Sequence, residues 1–365
     1  MNVCIIGDGL TSLSLAKNLI NKKVSVHIYH KRVINNLSSS RTIGISKNNL
    51  EFFEKEINKL SKKMIWEIKK IEIYSENLKK SKILNFENNK NNLFYMIKND
   101  KLHKSLNNKL LKNRFFKKKI IKEKNFYDKL IKKNNYDLII NCEQDNPISK
   151  KYFIKRIDKD YKNLAYTTIL EHEKLNNNSA IQVFTALGPI AFLPISNTKT
   201  SVVYSIDIKK KSYNDEEILE LIKKYNPKFK IKKILKLSSF KLKSSNLRNY
   251  YHKNILAFGD LLHRIHPLAG QGFNMTIRDI KNLSEIIKDK IDHGLPLDTV
   301  VYEEFQERTK NKNFIFSWGI DTIYEIFNFN KQNKREHVNK IIKFFGTKKF
   351  FTNSIIKIAD KGLNI

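Results

Sequence analysis

The run from Asn254 to Asp279 constrains the fold of this chain more than any other segment. An apolar strand, Ile255 to Phe258, ends on Gly259-Asp260, and a glycine-containing loop then leads into a helix. Glycines before a helix let backbone N–H groups approach a ligand, and the helix dipole favours negative charge there. The run therefore predicts a ligand-binding strand, loop and helix, with Asp260 placed to accept hydrogen bonds from a sugar hydroxyl. The loop contains Pro267, Gly270 and Gly272, and the apolar helix positions are Ile277, Ile280, Leu283 and Ile287.

The first thirty residues predict a second turn of the same kind. Val3 to Ile6 form a short apolar strand, the next six residues read G-D-G-L-T-S, and a helix and a second strand, Val24 to Tyr29, follow. In the dinucleotide fingerprint the first glycine makes the turn, the second admits the pyrophosphate and the third lets helix and strand pack closely. Gly7 and Gly9 hold the first two places, and the small Ser12 holds the third. His30 replaces the acidic residue expected at the end of the second strand to bind the ribose.

Together these segments resemble the group A FAD-dependent aromatic monooxygenases, and among them the ubiquinone-biosynthesis hydroxylases such as octaprenyl-methoxyphenol hydroxylase. The family carries a G-D/N-A-A-x-x-x-H-P-x-A-G-Q-G-x-N-x-G-x-x-D run, which residues 259–279 match in most places. Three further segments resemble the family's arginine strand near the flavin, its substrate-sheet hairpin and the start of its C-terminal helices. These are Ser40 to Ile45, Phe184 to Pro194 and Tyr302 to Arg308.

The resemblance implies an α/β fold of the para-hydroxybenzoate hydroxylase type. It predicts a Rossmann-like FAD-binding domain assembled from residues 1–66, 93–155 and 246–300. Residues 67–92 contribute strands to an inserted substrate domain, an antiparallel sheet formed by 156–245, and residues 301–365 form C-terminal helices. A length of 365 residues suits such a two-domain enzyme better than a single domain.

Hydrophobic periodicity predicts the local elements between these motifs. Helices are expected at Asn48 to Leu60, Leu93 to Leu111 and Asn214 to Tyr225. Strands are expected at Ile68 to Tyr74, Ile83 to Phe86, Phe115 to Ile121, Tyr136 to Asn141 and Ile231 to Phe240, with several alternating runs between Leu164 and Ile206.

Site residues follow from the resemblance by motif match. It places Pro267, Gly270, Gln271 and Gly272 around the flavin ring, with Asn274 nearby. It places Gly7, Gly9 and Ser12 at the pyrophosphate, Asp260 at the ribitol or phosphate region, and Arg41 at the flavin or dinucleotide. The implied reaction uses NADH or NADPH to reduce FAD, forms a C4a-hydroperoxyflavin with O₂ and hydroxylates a polyprenylated phenol. No protein base is assigned to the phenol.

One departure from the family keeps other functions open. The A-D-G motif, which links flavin and nicotinamide contacts in the family, is Cys142-Glu143-Gln144 here. Smaller departures are Leu261-Leu262, Thr276 and Lys241. The alternatives are a related flavoenzyme such as a prenyl-chain reductase, and a flavin- or lipid-binding scaffold that has lost NAD(P)H activity.

The net charge of +34 has three interpretations. Lysine is spread along the chain with abundant Asn and Ile, which favours compositional drift. Attraction to anionic lipid headgroups would suit an enzyme with a lipid-tailed substrate. Separately from the charge, the resemblance implies contact with a complex of ubiquinone-biosynthesis proteins. Nucleic-acid binding is not predicted, because no recognition module accompanies the charge and arginine is scarce.

The remaining features concern location and metal binding. No apolar run is long enough for a membrane span, and a strand begins too near Met1 for a signal peptide, so a cytoplasmic protein is expected, with possible peripheral contact with the inner face of the membrane. Cys4 and Cys142 are predicted to be free thiols. His263 and His266 could share a metal, but a structural role is favoured. The C-terminal apolar residues are expected to form core, with an interfacial membrane helix as the alternative. They are Ile320, Ile323, Phe327, Ile341, Phe344, Phe345, Phe350 and Phe351, interleaved with Lys343, Lys348 and Lys349.

Overall fold

The computed structural model describes residues 1–31, 41–76, 82–87, 92–123, 125–133, 135–208, 211–267, 270–333 and 349–363. Its helices are α1 (Leu10–Asn21), α2 (Lys47–Phe52), α3 (Asn99–Leu111), α4 (Phe126–Lys133), α5 (Pro147–Tyr152), α6 (Asp215–Tyr225), α7 (Gly272–Asp292), α8 (Thr299–Asn333) and α9 (Lys349–Lys361). Strands β1 to β9 are Asn2–Ile6, Ser25–His30, Thr42–Ser46, Ile65–Ile68, Lys70–Ser75, Lys82–Glu87, Phe94–Lys98, Phe116–Ile120 and Leu138–Asn141. Strands β10 to β18 are Arg156–His172, Ser179–Thr185, Gly188–Ser196, Lys199–Asp207, Ile231–Ile234, Ser238–Leu247, Tyr251–His252, Ile255–Ala257 and His263–Arg264.

A six-stranded sheet in the order β16-β17-β9-β1-β2-β8 forms one half of the fold. All of its pairs are parallel except the β16–β17 pair at the edge. Strands β1 and β9 have fully buried apolar side chains, as expected for a parallel sheet covered on both faces. The Tyr302 hydroxyl of α8 accepts a hydrogen bond from the Ile139 N–H at 2.8 Å, which fixes the C-terminal part of the chain against the centre of this sheet.

The predicted substrate sheet has nine strands in the structure. Its main order is β18-β15-β10-β13-β12-β11-β5-β6, and β14 pairs with β10. Strands β5 and β6 join it from earlier in the chain, as the sequence predicts. The sheet is mixed, because β11 and β5 pair in parallel with Ser179 opposite Lys70. One face is covered by α6, whose start is fixed by a capping box between Asn214 and Glu217.

A three-stranded sheet, β3-β7-β4, joins the two larger sheets and corrects two predictions. The stretch from Leu93 to Lys98 is not the start of a helix, because its β-branched and aromatic residues pair with β3 and β4. Helix α3 begins only at Asn99, whose N–H donates to the Arg41 carbonyl at 3.1 Å. The predicted strand from Ile68 to Tyr74 is two strands, since β4 ends in the small sheet and β5 enters the large one.

Two further boundaries differ from the predictions. The stretch from Ile231 to Phe240 contains β14 and the start of β15, because the 17-residue β10 offers successive positions to both. The helix predicted to reach Leu60 ends at Ile57, where a π-helical turn (Phe53–Ile57) gives way to an extended Asn58. Neither difference moves a predicted site residue.

The C-terminal helices cover the junction between the sheets. Helix α8 contributes Phe316 and Ile320 to an apolar cluster with Ile265 and Met275. Helix α9 is fixed by Asp360, whose carboxylate accepts from the Asn48 N–H at 2.8 Å and whose carbonyl accepts from the Ser46 hydroxyl. Within the described ranges, no helix combines the length and the apolar character that crossing a bilayer requires.

Candidate functional site

Three turns meet at the carboxyl ends of neighbouring strands in the six-stranded sheet. They are Gly7 to Gly9 after β1, Cys142 to Gln144 after β9, and Gly259-Asp260 after β17. The chain moves from β1 to β2 on one side and reaches β9 on the other, so the strand order reverses direction between β1 and β9. Open α/β sheets bind ligands at such a reversal.

Direct contacts show that these turns converge. A Cβ atom added at Gly259 would lie 2.5 Å from Thr11 Cγ2, so the later turn lies against the first residues of α1. The Gln144 side-chain amide donates to the Asp260 carbonyl. A Cβ at Gly7 would lie 3.1 Å from Glu143 Cγ. Segments more than 100 residues apart in sequence therefore form one edge of the sheet.

The two glycines of the first turn have different roles. Gly7 has a φ of +120°, and a Cβ there would also lie 3.1 Å from the Ser12 hydroxyl oxygen, so the fold itself requires glycine at this position. Gly9 has an extended backbone and no atom within 4 Å of an added Cβ. Its small size is not needed for packing against the described residues, so the space beside it is open to a ligand.

The loop before α7 lies against β3, the strand that follows Arg41. Gly270 has a φ of +63°, and a Cβ there would lie 3.8 Å from the Gly44 nitrogen of β3. The Gly270 N–H donates to the Pro267 carbonyl at 3.2 Å. Gly272, like Gly9, is exposed and has no atom within 4 Å of an added Cβ. Leu268 and Ala269 of the predicted motif lie outside the described residues.

Asn274 holds this loop and β3 together. Its Oδ1 accepts from the Ser46 N–H at 2.9 Å and from Asn49 Nδ2 at 3.1 Å. Its Nδ2 donates to the Gly44 and Gly270 carbonyls at 3.0 and 3.3 Å. These bonds use both ends of the buried amide, so Asn274 holds the loop before α7 against β3. The family motif places it near the flavin but does not reveal this bonding.

For three other residues predicted to bind the cofactor, the structure gives less direct support for that role. Ser12 is buried beside Gly7 and Cys142, as the fingerprint requires of a small third residue. Asp260 is exposed in a 3₁₀ turn with its carboxylate outward. Arg41 is exposed, and among the described residues only its backbone carbonyl makes a hydrogen bond, to α3. Ser40 lies outside the described residues.

Asp8, between the two glycines, is a feature that motif matching passes over. Its Oδ1 lies 2.7 Å from Lys118 Nζ, and the His103 Nε2 atom lies 2.8 Å from its backbone carbonyl. His30, which replaces the expected ribose-binding acid, approaches the other carboxylate oxygen at 4.0 Å. The turn is therefore anchored to β8 and α3 by basic groups. This follows from the pairing of β2 with β8, which cannot be inferred from the spacing of these residues.

The altered A-D-G segment places an acid beside the first turn. Burial raises the pKa of Glu143, and the nearby Asp8 and Asp145 add to this effect while Lys31 opposes it. Burial also raises the pKa of the Cys142 thiol to about 12, so this cysteine is an unreactive thiol at neutral pH. Both cysteines are free, as predicted.

The two histidines of the later motif have separate surroundings. His263 forms a buried hydrogen bond with Asp279, whose other oxygen accepts from Asn313 Nδ2 at 2.9 Å. His266 stacks on Tyr324 with the ring centres 4.4 Å apart, and burial lowers its pKa to about 3. Each ring is thus part of the packing around α7 and α8.

Comparison with known proteins agrees with this geometry. The family described as FAD binding domain matches residues 159–294, which include the later glycine turn. The mitochondrial ubiquinone biosynthesis monooxygenase COQ6 of Dictyostelium discoideum is 23% identical over 90% of this chain and 85% of its own length. The chain is therefore similar to FAD-dependent monooxygenases. It is also 29% identical to the Escherichia coli 3-demethoxyubiquinol 3-hydroxylase, over 42% of the chain and 41% of that protein.

Solved structures support the fold of this chain over its whole length. The p-nitrophenol 4-monooxygenase PnpA of Pseudomonas putida superposes with a TM-score of 0.76 at 13% identity, covering 100% of this chain and 98% of that one. Klebsiella pneumoniae HpxO, solved with FAD and uric acid, gives 0.72 at 10% identity and covers 98% of this chain and 96% of that one. The expected para-hydroxybenzoate hydroxylase type of fold is confirmed.

The residues present fit FAD. An added Cβ would enter open space at both Gly9 and Gly272, each next to the N-terminus of a helix. Neither α1 nor α7 has a side-chain cap or an acidic residue in its first turn, whereas α5 and α6 are both capped by asparagine. Uncapped N–H groups are the groups that bind a pyrophosphate or an electron-rich ring. The buried Gln271 Oε1 also lacks a partner among the described residues and can accept a hydrogen bond.

Proposed function

We propose that this protein is an FAD- and NAD(P)H-dependent monooxygenase that hydroxylates the aromatic ring of a polyprenylated phenol in ubiquinone biosynthesis. The observation that carries the proposal is the match over nine-tenths of the chain to a protein named a ubiquinone biosynthesis monooxygenase. The open glycine turns at Gly9 and Gly272 support it, because they provide room for the cofactor that this reaction needs.

In this reaction the protein would bind and orient the cofactor and the substrate and shield them from water. The first turn and the N-terminus of α1 would hold the pyrophosphate, and Gly270 to Gly272 with the N-terminus of α7 would face the flavin ring. Once bound and reduced, FAD supplies the O₂ activation that no side chain can provide. Overall, Ar–H, O₂, NAD(P)H and H⁺ give Ar–OH, H₂O and NAD(P)⁺.

The aromatic substrate would lie between the large sheet and β3. The Thr42 hydroxyl of β3 donates to the Ser201 hydroxyl of β13 at 2.9 Å, so this face of the large sheet meets the strand beside the flavin loop. Alternation places Val203 and Ser205 on the same face as Ser201.

Isotope labelling tests this function. Purified protein with FAD is supplied with NADH or NADPH, ¹⁸O₂ and a series of polyprenylated phenols, and the products are analysed by mass spectrometry. We expect one ¹⁸O atom in one product and substrate-stimulated NAD(P)H oxidation. Oxygen-independent loss of a prenyl double bond would identify a reductase instead. A yellow protein that gives no product, even after its flavin is reduced with light, would identify a scaffold.

We also propose that α8 contacts an anionic membrane. Five large apolar residues between positions 314 and 326 of this helix are at least 39% exposed, and Trp318 reaches 63%. Apolar and tryptophan side chains on one helix favour the membrane interface, and the net charge of +34 favours anionic lipids. The five are Phe314, Ile315, Trp318, Ile323 and Ile326.

The C-terminal apolar residues predicted from the sequence fit a membrane contact only in part. Ile323 is exposed, but Ile320 is 8% exposed and lies in the core. Ile341, Phe344, Phe345, Lys343 and Lys348 lie outside the described residues, as do the side chains of Phe327, Lys349, Phe350 and Phe351.

Vesicle binding tests the membrane contact. Trp318→Glu should weaken binding to phosphatidylglycerol vesicles by about tenfold or more, because it removes the most exposed apolar side chain and adds a negative charge. Leu111→Glu is the matched control, since Leu111 is 59% exposed at the end of α3. Equal binding by both variants and the wild type would reject α8 as the contact surface. Cytoplasmic location and contact with pathway proteins stay predictions.

A further inference from the structure

Arg278 of α7 is held between two other helices. Its guanidinium carbon lies 4.6 Å from the ring centre of Phe316 on α8. On another side, a Cβ added at Gly362, just after α9, would lie 2.9 Å from its Nε. The guanidinium is thus fixed in place by packing, and Gly362, with a φ of +73°, leaves the room that it needs.

The two terminal nitrogens of this side chain are available as donors. Arg278 Nη1 and Nη2 are buried and have no hydrogen-bond partner within the part of the chain that the structure describes. The two carboxylates whose charge acts on Arg278, Asp279 and Asp360, are hydrogen-bonded to other groups. Asp279 accepts from Asn313 and bonds to His263, and Asp360 accepts from the Asn48 N–H. Leaving a buried charged donor unpaired is costly, so such a group normally has a ligand or ordered water.

Arg278 lines a polar cleft where α7, α8 and the end of α9 meet, and this cleft opens to solvent. Two basic side chains line it, Arg278 and Lys312, together with the single acid Asp279, whose two oxygens are hydrogen-bonded to His263 and Asn313. The uncharged polar lining consists of Asn282, Thr309 and Asn313, and Phe316, Gly362 and Leu363 complete the wall.

We propose that this cleft binds a small oxyanion, with the fork of Arg278 donating two hydrogen bonds to two of its oxygens. Planar, rigidly held guanidinium groups are suited to such two-point binding of phosphate or carboxylate. The site is separate from the proposed flavin-ring contact, because Arg278 lies six residues, or about 9 Å, along α7 from Gly272. Since its walls come from three helices, a bound oxyanion joins α9 to α7 and α8.

The test uses the full-length protein and inorganic phosphate. Thermal unfolding is followed as phosphate replaces chloride at constant ionic strength, and acetate provides a carboxylate arm. We expect a saturable rise in Tm with phosphate, as binding to the native state alone requires. The same rise with acetate would indicate a carboxylate site, and a rise with phosphate alone would indicate a phosphate site. No saturable rise with either ion would overturn the proposal.

Variants distinguish oxyanion binding at this site from the nonspecific attraction of anions to a basic protein. Arg278→Gln should weaken oxyanion binding by about tenfold or more, because it removes the fork and the charge. Arg308→Gln on α8 is the matched control and should bind as the wild type, since Arg308 is paired with Glu304 at the surface. If Arg278→Gln does not fold, Arg278→Lys, which keeps the charge without the fork, should still bind severalfold more weakly. Wild-type affinity in whichever Arg278 variant folds would overturn the proposal.

Discussion

Replacing Gly9 with valine should remove FAD from this protein and leave its fold intact. An added side chain meets no protein atom within 4 Å, and the extended backbone at this position accepts valine. The side chain would instead fill the space beside the uncapped N-terminus of α1. Losing two or more hydrogen bonds to the pyrophosphate should cost about 3 to 6 kcal/mol of FAD binding. Flavin fluorescence titration measures this loss, and circular dichroism checks the fold.

The matched control is Gly319→Val. Gly319 lies in α8, and it too has no atom within 4 Å of an added Cβ. We expect this variant to bind FAD as the wild type does. Gly7 is unsuitable for the experiment, because its φ of +120° would strain the backbone of any other residue. A loss of FAD binding in such a variant could then result from a folding defect. Wild-type affinity in Gly9→Val would show that the first turn does not contact the cofactor.

Asn274→Ala should destabilise the protein by about 2 to 4 kcal/mol and also weaken FAD binding. The substitution leaves the buried Ser46 N–H without its acceptor, and it removes the donor to the Gly44 and Gly270 carbonyls. The loop before Gly272 then loses its connection to β3. Urea unfolding gives the change in stability, and flavin titration of the folded fraction gives the change in affinity.

Lys281→Ala provides the comparison on the same helix, because Lys281 is exposed. It should change the free energy of unfolding by no more than about 0.5 kcal/mol. Loss of stability without loss of FAD affinity in Asn274→Ala would confine Asn274 to folding. Unchanged stability would show that these hydrogen bonds contribute little.

The parts of the fold that sequence reasoning predicted best are those determined by local pattern. The strand, turn and helix around Gly7 and the helix after Gly272 have unbroken apolar periodicity and glycines at defined positions. Where pairing across the chain decides the structure, prediction failed. Phe94 to Lys98 became a strand only because β3 and β4 lie on either side of it. The break between β14 and β15 likewise depends on the length of β10.

In the candidate site, too, local sequence predicts some features and others depend on contacts between distant segments. Its glycines could be found from spacing, but the contact between Gly259 and Thr11 depends on strand order. The role of Asn274 depends on three segments that meet only after folding, and the anchoring of Asp8 depends on β8 lying beside β2. Arg278 is a clear case, because no local signal reveals that its buried terminal nitrogens lack a partner among the described residues.

The central claim is that the two distant glycine turns hold opposite ends of one FAD. The most direct measurement is the binding of FAD and of ADP to Gly9→Val and Gly272→Val. We expect one FAD per wild-type chain, loss of both ligands in Gly9→Val, and loss of FAD with unchanged ADP binding in Gly272→Val. Wild-type FAD affinity in Gly272→Val, or loss of ADP binding in that variant, would contradict the account.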